Sequence, residues 1–90
     1  MPNYEIIPAL QKKLNKLSKK DLALYEQVLK KIEEIITIPD IDHYKNLSYS
    51  QKDEKRVHIG HFVLVFTHIL AENKIKFLDF DHHDNIYRNK

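Results

Sequence analysis

The spacing of hydrophobic residues divides the chain into a helical first part and a strand-forming second part. Leu10, Leu14 and Leu17 recur at intervals of three and four residues, the pattern of an amphipathic helix with one buried stripe. Pro8 suits the first turn of such a helix, because its φ is fixed and its missing N–H needs no partner there. We therefore predict a helix that begins at Pro8, preceded by a short strand over Asn3–Ile7.

A second, longer helix is predicted from the segment that follows. Its apolar positions again recur every three or four residues; they are Leu22, Tyr25, Val28, Leu29, Ile32, Ile35 and Ile36. Ser18 and Asp21 resemble a capping arrangement at its start, since a serine oxygen can accept an N–H of the next turn and an acid suits the positive helix end. Pro39 and Asp40 are expected to end the helix.

Further along the chain the hydrophobic period changes to two, which indicates a half-buried strand. Val57 and Ile59 fall on one side of this strand and Arg56 and His58 on the other, until Gly60 makes a turn. The two polar side chains are therefore expected to share a face that the helices do not cover.

The next segment is apolar without interruption. The run Phe62–Phe66 is typical of a central strand that is covered on both sides. A turn at Ala71–Lys74 separates it from a last strand over Ile75–Phe80, and the stretch Asp40–Glu54, which has no period, is predicted to be a loop.

The predicted element order is β-α-α-β-β-β, which makes this an α+β fold. Short turns join the last three strands, so these must be antiparallel neighbours, and the N-terminal strand adds to their sheet. Two helices are expected to cover one face. Length and the absence of repeats predict one domain over residues 1–90.

Composition narrows the class of protein. The chain has no cysteine, so a disulfide framework and a thiolate metal site are excluded. It has no apolar run of the length of a signal peptide or a membrane span, which predicts a cytoplasmic protein without membrane contact. A net charge of +2 does not by itself indicate nucleic-acid binding. The distribution of the charges is more informative than their sum.

Four short motifs in the second half occur in an order that we recognise. They are HYKNL at His43–Leu47, KRVHIG at Lys55–Gly60, FVLVF at Phe62–Phe66 and FDHHDNIY at Phe80–Tyr87. Together with the element order, they resemble the RelE/ParE toxin superfamily, and within it the archaeal RelE-type mRNA interferases. The resemblance spans nearly the whole chain, and its specificity lies in the order and spacing of the motifs.

The resemblance implies a function. Members of this kind are toxins of type II toxin-antitoxin systems that cleave mRNA at the ribosome and so inhibit translation, and a RelB-like antitoxin neutralises them. The complex is expected to be a heterotetramer or larger and to bind operator DNA. Cleavage would use the 2′-hydroxyl of the RNA as nucleophile, so that neither a cofactor nor a metal is expected.

The same resemblance assigns roles to particular residues. His83 lies four residues before Tyr87, where relatives carry a functional Arg or His, and is the candidate for proton transfer. Arg56 would stabilise charge on the phosphate, while Tyr87 would stack on a base or orient the 2′-hydroxyl. His58 and His82 are further catalytic candidates. An alternative for each histidine is a solvated position, and Tyr87 can equally pack on the core.

Basic residues are expected to bind RNA around this site and on the first helix. The candidates for substrate RNA are Lys45, Lys52, Lys55 and Arg88, and those for ribosomal RNA are Lys12, Lys13, Lys16, Lys19 and Lys20. Clustered cations bind phosphate regardless of sequence. Without the resemblance, the lysines of the first helix would be read as a solvated face.

Two other functions remain open, and Val63, which stands where many relatives have an arginine, points to the second of them. One is a ParE-like toxin that inhibits DNA gyrase without cleaving RNA. The other is a degenerate toxin that retains only antitoxin binding and autoregulation.

Overall fold

A computed structural model of the chain describes residues 3–37 and 54–88. The elements in chain order are β1 (Asn3–Ile6), α1 (Pro8–Lys20), α2 (Leu22–Thr37), β2 (Glu54–Ile59), β3 (Phe62–Ile69), a 3-10 turn (Leu70–Glu72), β4 (Lys74–His82) and α3 (His83–Arg88). The predicted end of the second helix at Pro39 and Asp40 and most of the predicted Asp40–Glu54 loop lie outside the described residues.

The four strands form one sheet in the order β1-β4-β3-β2. β2 pairs with β3, and β3 with β4, in antiparallel register, as the short turns between them require. β1 lies parallel to β4, with Asn3 opposite Lys74 and Ile6 opposite Phe77, so the sheet is mixed. The parallel pairing is possible because two helices separate β1 from the rest of the sheet.

The first helices cover one face of this sheet, which we call the helical face. Its core contains Leu10, Leu14, Val28, Ile32 and Ile35 from the helices, and Ile59, Leu64, Phe66, Ile75, Phe77 and Phe80 from the strands. Since side chains of a strand alternate between faces, every second residue of β3 points to these helices. The predicted packing of both helices on one face is confirmed.

The opposite face is covered by α3, and we call it the α3 face. Val63 and Val65 of β3 form a second small core there with Ile86, and Tyr87 packs against it. This explains the uninterrupted apolar run in β3, which is buried on both sides as predicted. The helix itself was not predicted: its six residues are too few to show a period, and the expected fold had only two helices.

Asp21 is the residue on which the chain turns from α1 into α2. Its N–H donates to the carbonyl of Leu17 at 2.8 Å, and its Oδ1 accepts from the N–H of Leu24 at 3.1 Å. Ser18, expected to share in the cap, instead lies within α1 and donates to the carbonyl of Asn15 at 2.7 Å. Asp21 alone therefore supplies the side-chain cap of α2 that was predicted for the pair.

An irregularity in β4 shapes the sheet next to α3. Val65 is opposite Asp79 and Phe66 is opposite Phe77, so Leu78 is an extra residue in the ladder. The bulge lets Phe77 and Phe80 both reach the helical face, although they are three residues apart.

Candidate active site

Four side chains from two elements meet on the α3 face. We call them the β2–α3 cluster: Arg56 and His58 from β2, and His83 and Tyr87 from α3. The ring centroids of His58 and His83 are 5.7 Å apart, and those of His83 and Tyr87 are 4.6 Å apart. The guanidinium carbon of Arg56 lies 5.5 Å from the centre of the Tyr87 ring. Four of the five predicted catalytic residues are thus brought together.

The local geometry of both elements explains this meeting. Arg56 is opposite Val65 and His58 is opposite Val63, so these polar residues share the face of the second small core. In α3, His83 and Tyr87 are four residues apart, which places them on the same side of the helix. Burial of α3 on the two valines therefore brings its aromatic residues against β2.

The surroundings of His58 shift its pKa. Partial burial, and then the positive charges of Arg56 and His83, lower the pKa of His58 below its ordinary value of 6.5. The ring of Tyr87 lies nearly parallel to its imidazole, at 6.5 Å between centroids and 17° between planes. His58 is accordingly neutral at pH 7 and able to accept a proton.

His83 is oriented by the residue that follows it. Its Nδ1 lies 3.3 Å from Oδ1 of Asp84, within reach of a hydrogen bond that Nδ1–H would donate. This contact leaves Nε2 as the ring atom for proton exchange with a substrate. The cluster thus offers two imidazoles in contact, a neighbouring guanidinium and a phenol ring.

His82, the fifth predicted catalytic residue, lies elsewhere. Its strand partner is Phe62, its ring makes an edge contact with Phe62 at 5.6 Å, and it stacks on His61 at 6.2 Å. Phe62 belongs to the helical face, so His82 is directed away from the β2–α3 cluster. The expectation that both adjacent histidines serve one site is wrong, because successive residues of an extended chain diverge.

Comparison with known proteins gives this arrangement a family. No family model matches the chain. A protein of Methanocaldococcus jannaschii that carries the name toxin RelE4 is 52% identical over 91 residues, covering 100% of this chain and 95% of its own length. The chain belongs to the RelE toxin family.

Solved RelE structures share its fold. The RelE chain in the intact E. coli RelBE toxin-antitoxin complex matches with a TM-score of 0.75 at 19% identity, over 91% of this chain and 96% of that one. An archaeal RelE–RelB complex from Pyrococcus horikoshii matches with a TM-score of 0.69 at 19% identity, over 90% and 93% of the two chains. The predicted RelE-like architecture is confirmed.

In this RelE family member, the position of the expected strand arginine is buried. Val63 has 0% exposure and contacts Ile86 and Tyr87 beneath α3. An arginine side chain would have to displace that helix or take its charge into an apolar core. Among the described residues, Arg56 of β2 supplies a cation beside these histidines instead.

Of the four residues predicted to bind substrate RNA, the structure describes the side chain of Lys55 alone. Lys55 is only 7% exposed, and strand alternation puts it on the helical face with Val57 and Ile59, away from the β2–α3 cluster. The expectation that it lines the site is therefore not met. Lys45 and Lys52 lie outside the described residues, as does the side chain of Arg88.

The lysines of α1 separate into two groups. Lys12, Lys16, Lys19 and Lys20 are exposed. Lys13 is held by two carboxylates of β4, with its Nζ 2.6 Å from Asp79 Oδ1 and 3.4 Å from Asp81 Oδ2. Lys13 therefore departs from the expected free basic face, since its charge is already paired within the fold.

A groove that sequence reasoning missed adjoins His58 on the side of α2. It has a volume of about 350 Å³ and is lined by Gln27, Lys30, Lys31, Glu34, His58, Ile59 and Gly60. Lys31 is paired with Glu34 at 3.1 Å, which balances that carboxylate. Sequence patterns did not predict this groove, because the segments that line it, α2 and the end of β2, are far apart in the chain.

Among residues 3–37 and 54–88, no three His, Asp or Glu side chains lie close enough together to hold a metal ion. Within the same ranges, no helix combines the length and apolar character needed to cross a membrane.

Proposed function

We propose that this RelE toxin is a ribosome-dependent endoribonuclease that cleaves mRNA by general acid–base catalysis. The observation that carries the proposal is the contact between His58 and His83 beside Arg56 on the α3 face. Cleavage of RNA by its own 2′-hydroxyl needs a base, an acid and a cation, and these three residue types supply them.

The proposed reaction begins with neutral His58, which removes the proton from the 2′-hydroxyl. The 2′-oxygen attacks the adjacent phosphorus, and Arg56 stabilises the negative charge that develops on the phosphoryl oxygens. Protonated His83 then donates its proton to the 5′-oxygen as the bond from that oxygen to phosphorus breaks. The products are a 2′,3′-cyclic phosphate and a free 5′-hydroxyl, and each histidine ends in the other protonation state.

Tyr87 and the adjacent groove are suited to hold the substrate. The Tyr87 ring offers a face for an unpaired base, as aromatic side chains do in many RNA-binding proteins. Lys30 lines a groove that reaches His58, where its cation can attract the phosphate of a neighbouring nucleotide. We place the action of the toxin in the cytoplasm, because its substrate is mRNA on the ribosome.

The partner that we propose is an antitoxin of the RelB kind. The solved complexes from E. coli and P. horikoshii each pair a RelE chain of this fold with RelB. By analogy, a RelB-like chain would bind this toxin in a heterotetramer or larger assembly, which would bind operator DNA. Copurification with the product of the adjacent antitoxin gene tests this pairing.

The nuclease proposal is tested by substitution of His83 in a purified translation system. Wild-type protein should cut translated mRNA in the ribosomal A site, and His83→Ala should reduce the cleavage rate by about 100-fold or more. His68→Ala is the matched control, because His68 lies at the far end of β3 opposite Ile75. Cleavage by His83→Ala at the wild-type rate would refute the site assignment.

Val63 is the observation that favours an alternative without cleavage, since the strand arginine common in relatives is missing. A DNA supercoiling assay distinguishes a ParE-like gyrase inhibitor from the nuclease. If the protein neither cleaves mRNA nor inhibits gyrase but still binds its antitoxin, it is a degenerate toxin that serves autoregulation.

A further inference from the structure

The α3 helix carries two members of the β2–α3 cluster, and its position depends on its contacts with the rest of the fold. It has six residues, and a helix of that length is not stable without tertiary contacts. At its start, the N–H of His83 donates to the carbonyl of His61 at 2.8 Å, and further on Ile86 is buried on the sheet. A third contact is a side-chain hydrogen bond, from Nδ2 of Asn85 to Oδ1 of Asp81 at 3.0 Å.

Asp81 makes contacts through both of its carboxylate oxygens. Oδ1 accepts from Asn85 and also from the N–H of His82 at 2.7 Å, while Oδ2 lies 3.4 Å from Nζ of Lys13. Burial alone would raise the pKa of Asp81, but the hydrogen bonds of Asn85 and the His82 N–H, with the charge of Lys13, lower it overall. The carboxylate is thus ionised and held from three directions.

Lys13 connects this carboxylate to the first helix. It also binds Asp79, at the shorter distance of 2.6 Å, and Asp79 accepts a hydrogen bond from the N–H of Phe80. The two aspartates therefore share one lysine, but the contact with α3 belongs to Asp81. This difference provides an internal control.

We propose that Asp81 is a positioning residue, which fixes α3 through Asn85 and thereby sets where His83 and Tyr87 stand against β2. Lys13 completes the arrangement by holding the second oxygen of the carboxylate. This inference rests on the proposed ribonuclease function, because it assigns a catalytic consequence to the placement of α3. It gives Lys13 a role within the fold in place of the RNA contact expected for it.

The geometry explains why a small displacement would matter. Asn85 lies between His83 and Tyr87 in the single turn of helix that carries both, so its hydrogen bond controls the rotation of that turn. Displacement of a catalytic group by about 1 Å can lower a rate about 100-fold, although no contact with substrate is removed. Loss of the Asp81–Asn85 bond should therefore lower kcat and, because Tyr87 moves together with His83, also raise KM, though by a smaller factor.

The test uses an exchange of the two side chains. Asn85→Asp places a second carboxylate against Asp81 and should break the contact, whereas Asp81→Asn combined with Asn85→Asp restores a donor opposite an acceptor. Asp79→Asn is the matched control, because it weakens the shorter Lys13 contact and leaves the Asp81–Asn85 bond in place. Circular dichroism and thermal unfolding confirm that each variant is folded.

Two measurements are made on each variant. In the cleavage assay, kcat should fall at least tenfold for Asn85→Asp, recover in the double variant and stay within twofold for Asp79→Asn. In an NMR titration, the pKa of His58 should rise for Asn85→Ala, which breaks the contact without adding a charge, since the charge of His83 that helps to lower that pKa has moved away. The same pKa should return towards its wild-type value in the double variant.

Several results would overturn the proposal. Equal losses for Asn85→Asp and Asp79→Asn would mean that the acidic residues only stabilise the fold. An unchanged His58 titration in Asn85→Ala would mean that α3 does not depend on the Asp81 contact. If the titration follows the expected pattern but wild-type protein does not cleave RNA, the positioning role stands and the ribonuclease function is refuted.

Discussion

His58 and His83 lie in contact but have different surroundings, and this difference is the basis of the roles proposed for them. His58 is next to Arg56, whose charge adds to partial burial in disfavouring a second positive charge. His83 is next to Asp84, whose carboxylate can accept a hydrogen bond from Nδ1. These surroundings suit His58 to the proposed role of base and His83 to the proposed role of acid.

The titration of His58 is the first prediction at this scale. Because its pKa is lowered in the folded protein, it should titrate below 6.5, and Arg56→Gln should raise its pKa towards that value by removing a positive charge. Imidazole NMR signals recorded between pH 4 and 9 measure both values. Lys76→Gln, on the distant end of β4, is the control and should leave the titration unchanged. A pKa for His58 above 6.5 in the wild type would contradict the assignment.

The same shift has a consequence for stability. A histidine with a lowered pKa in the folded state takes up its proton more readily when the chain is unfolded. Its contribution therefore favours folding above the ordinary value of 6.5 and is lost as the pH falls through the lower, folded value. The acid limb of the cleavage rate should likewise lie below the ordinary histidine value, because the base must be neutral.

At the scale of elements, α3 contributes both to the packing on the sheet and to the candidate active site. It covers Val63 and Val65 with Ile86 and at the same time presents His83 and Tyr87 to β2. The burial of Ile86 and the placement of His83 and Tyr87 therefore depend on the same turn of helix. Removing the apolar contact should affect both stability and activity.

Ile86→Ala tests this coupling. Ile86 is 8% exposed, and its truncation should lower the free energy of unfolding by about 2–4 kcal/mol, with loss of most cleavage. Leu29→Ala is the control on α2, where the side chain is 41% exposed and the loss should be about 0.5 kcal/mol. Urea unfolding measures both. Full activity in Ile86→Ala would show that α3 need not be docked for catalysis.

The strengths and limits of sequence reasoning follow from the same elements. α1, α2 and β2 were predictable, because each is long enough for a hydrophobic period to show and is bounded by Pro8, Asp21 or Gly60, and β3 was predictable from its uninterrupted apolar run. The cluster of Arg56 with His58 followed from alternation along β2. The features that sequence reasoning missed are connected with α3. This helix has too few residues for a hydrophobic period to show, and its formation directs His82 and His83 to different places.

Contacts between distant segments were beyond the sequence pattern as well. Lys13 and Asp79 are 66 residues apart, so nothing in the run of lysines marks the one that is paired. Strand alternation along β2 puts Lys55 on the helical face. The sequence alone allows this conclusion, which contradicts the RNA-binding role expected for Lys55. The RelE architecture was recovered from motifs, while the placement of individual cations required coordinates.

At the scale of the whole molecule, charge is divided between surfaces although the net charge is only +2. Lys12, Lys16, Lys19 and Lys20 are exposed on α1, whereas Lys13 is paired within the fold. A low net charge is thus compatible with a basic surface suited to RNA. If α1 contacts ribosomal RNA, its lysines should contribute unequally to the salt dependence of binding.

Lysine-by-lysine measurement of that dependence is the last prediction. Each cation that neutralises a phosphate adds roughly 0.7–0.9 to the slope of log affinity against log salt concentration, because counterions are released from the nucleic acid. Lys16→Ala should therefore reduce the slope for ribosome binding by about that amount.

Lys13→Ala is the control and should leave the slope unchanged, since the ammonium of Lys13 is already bound by Asp79 and Asp81. Binding of labelled toxin to ribosomes at four salt concentrations gives the slopes. An equal reduction for both variants would show that Lys13 leaves its aspartates to bind RNA, and no reduction for either would exclude α1 from the ribosomal contact.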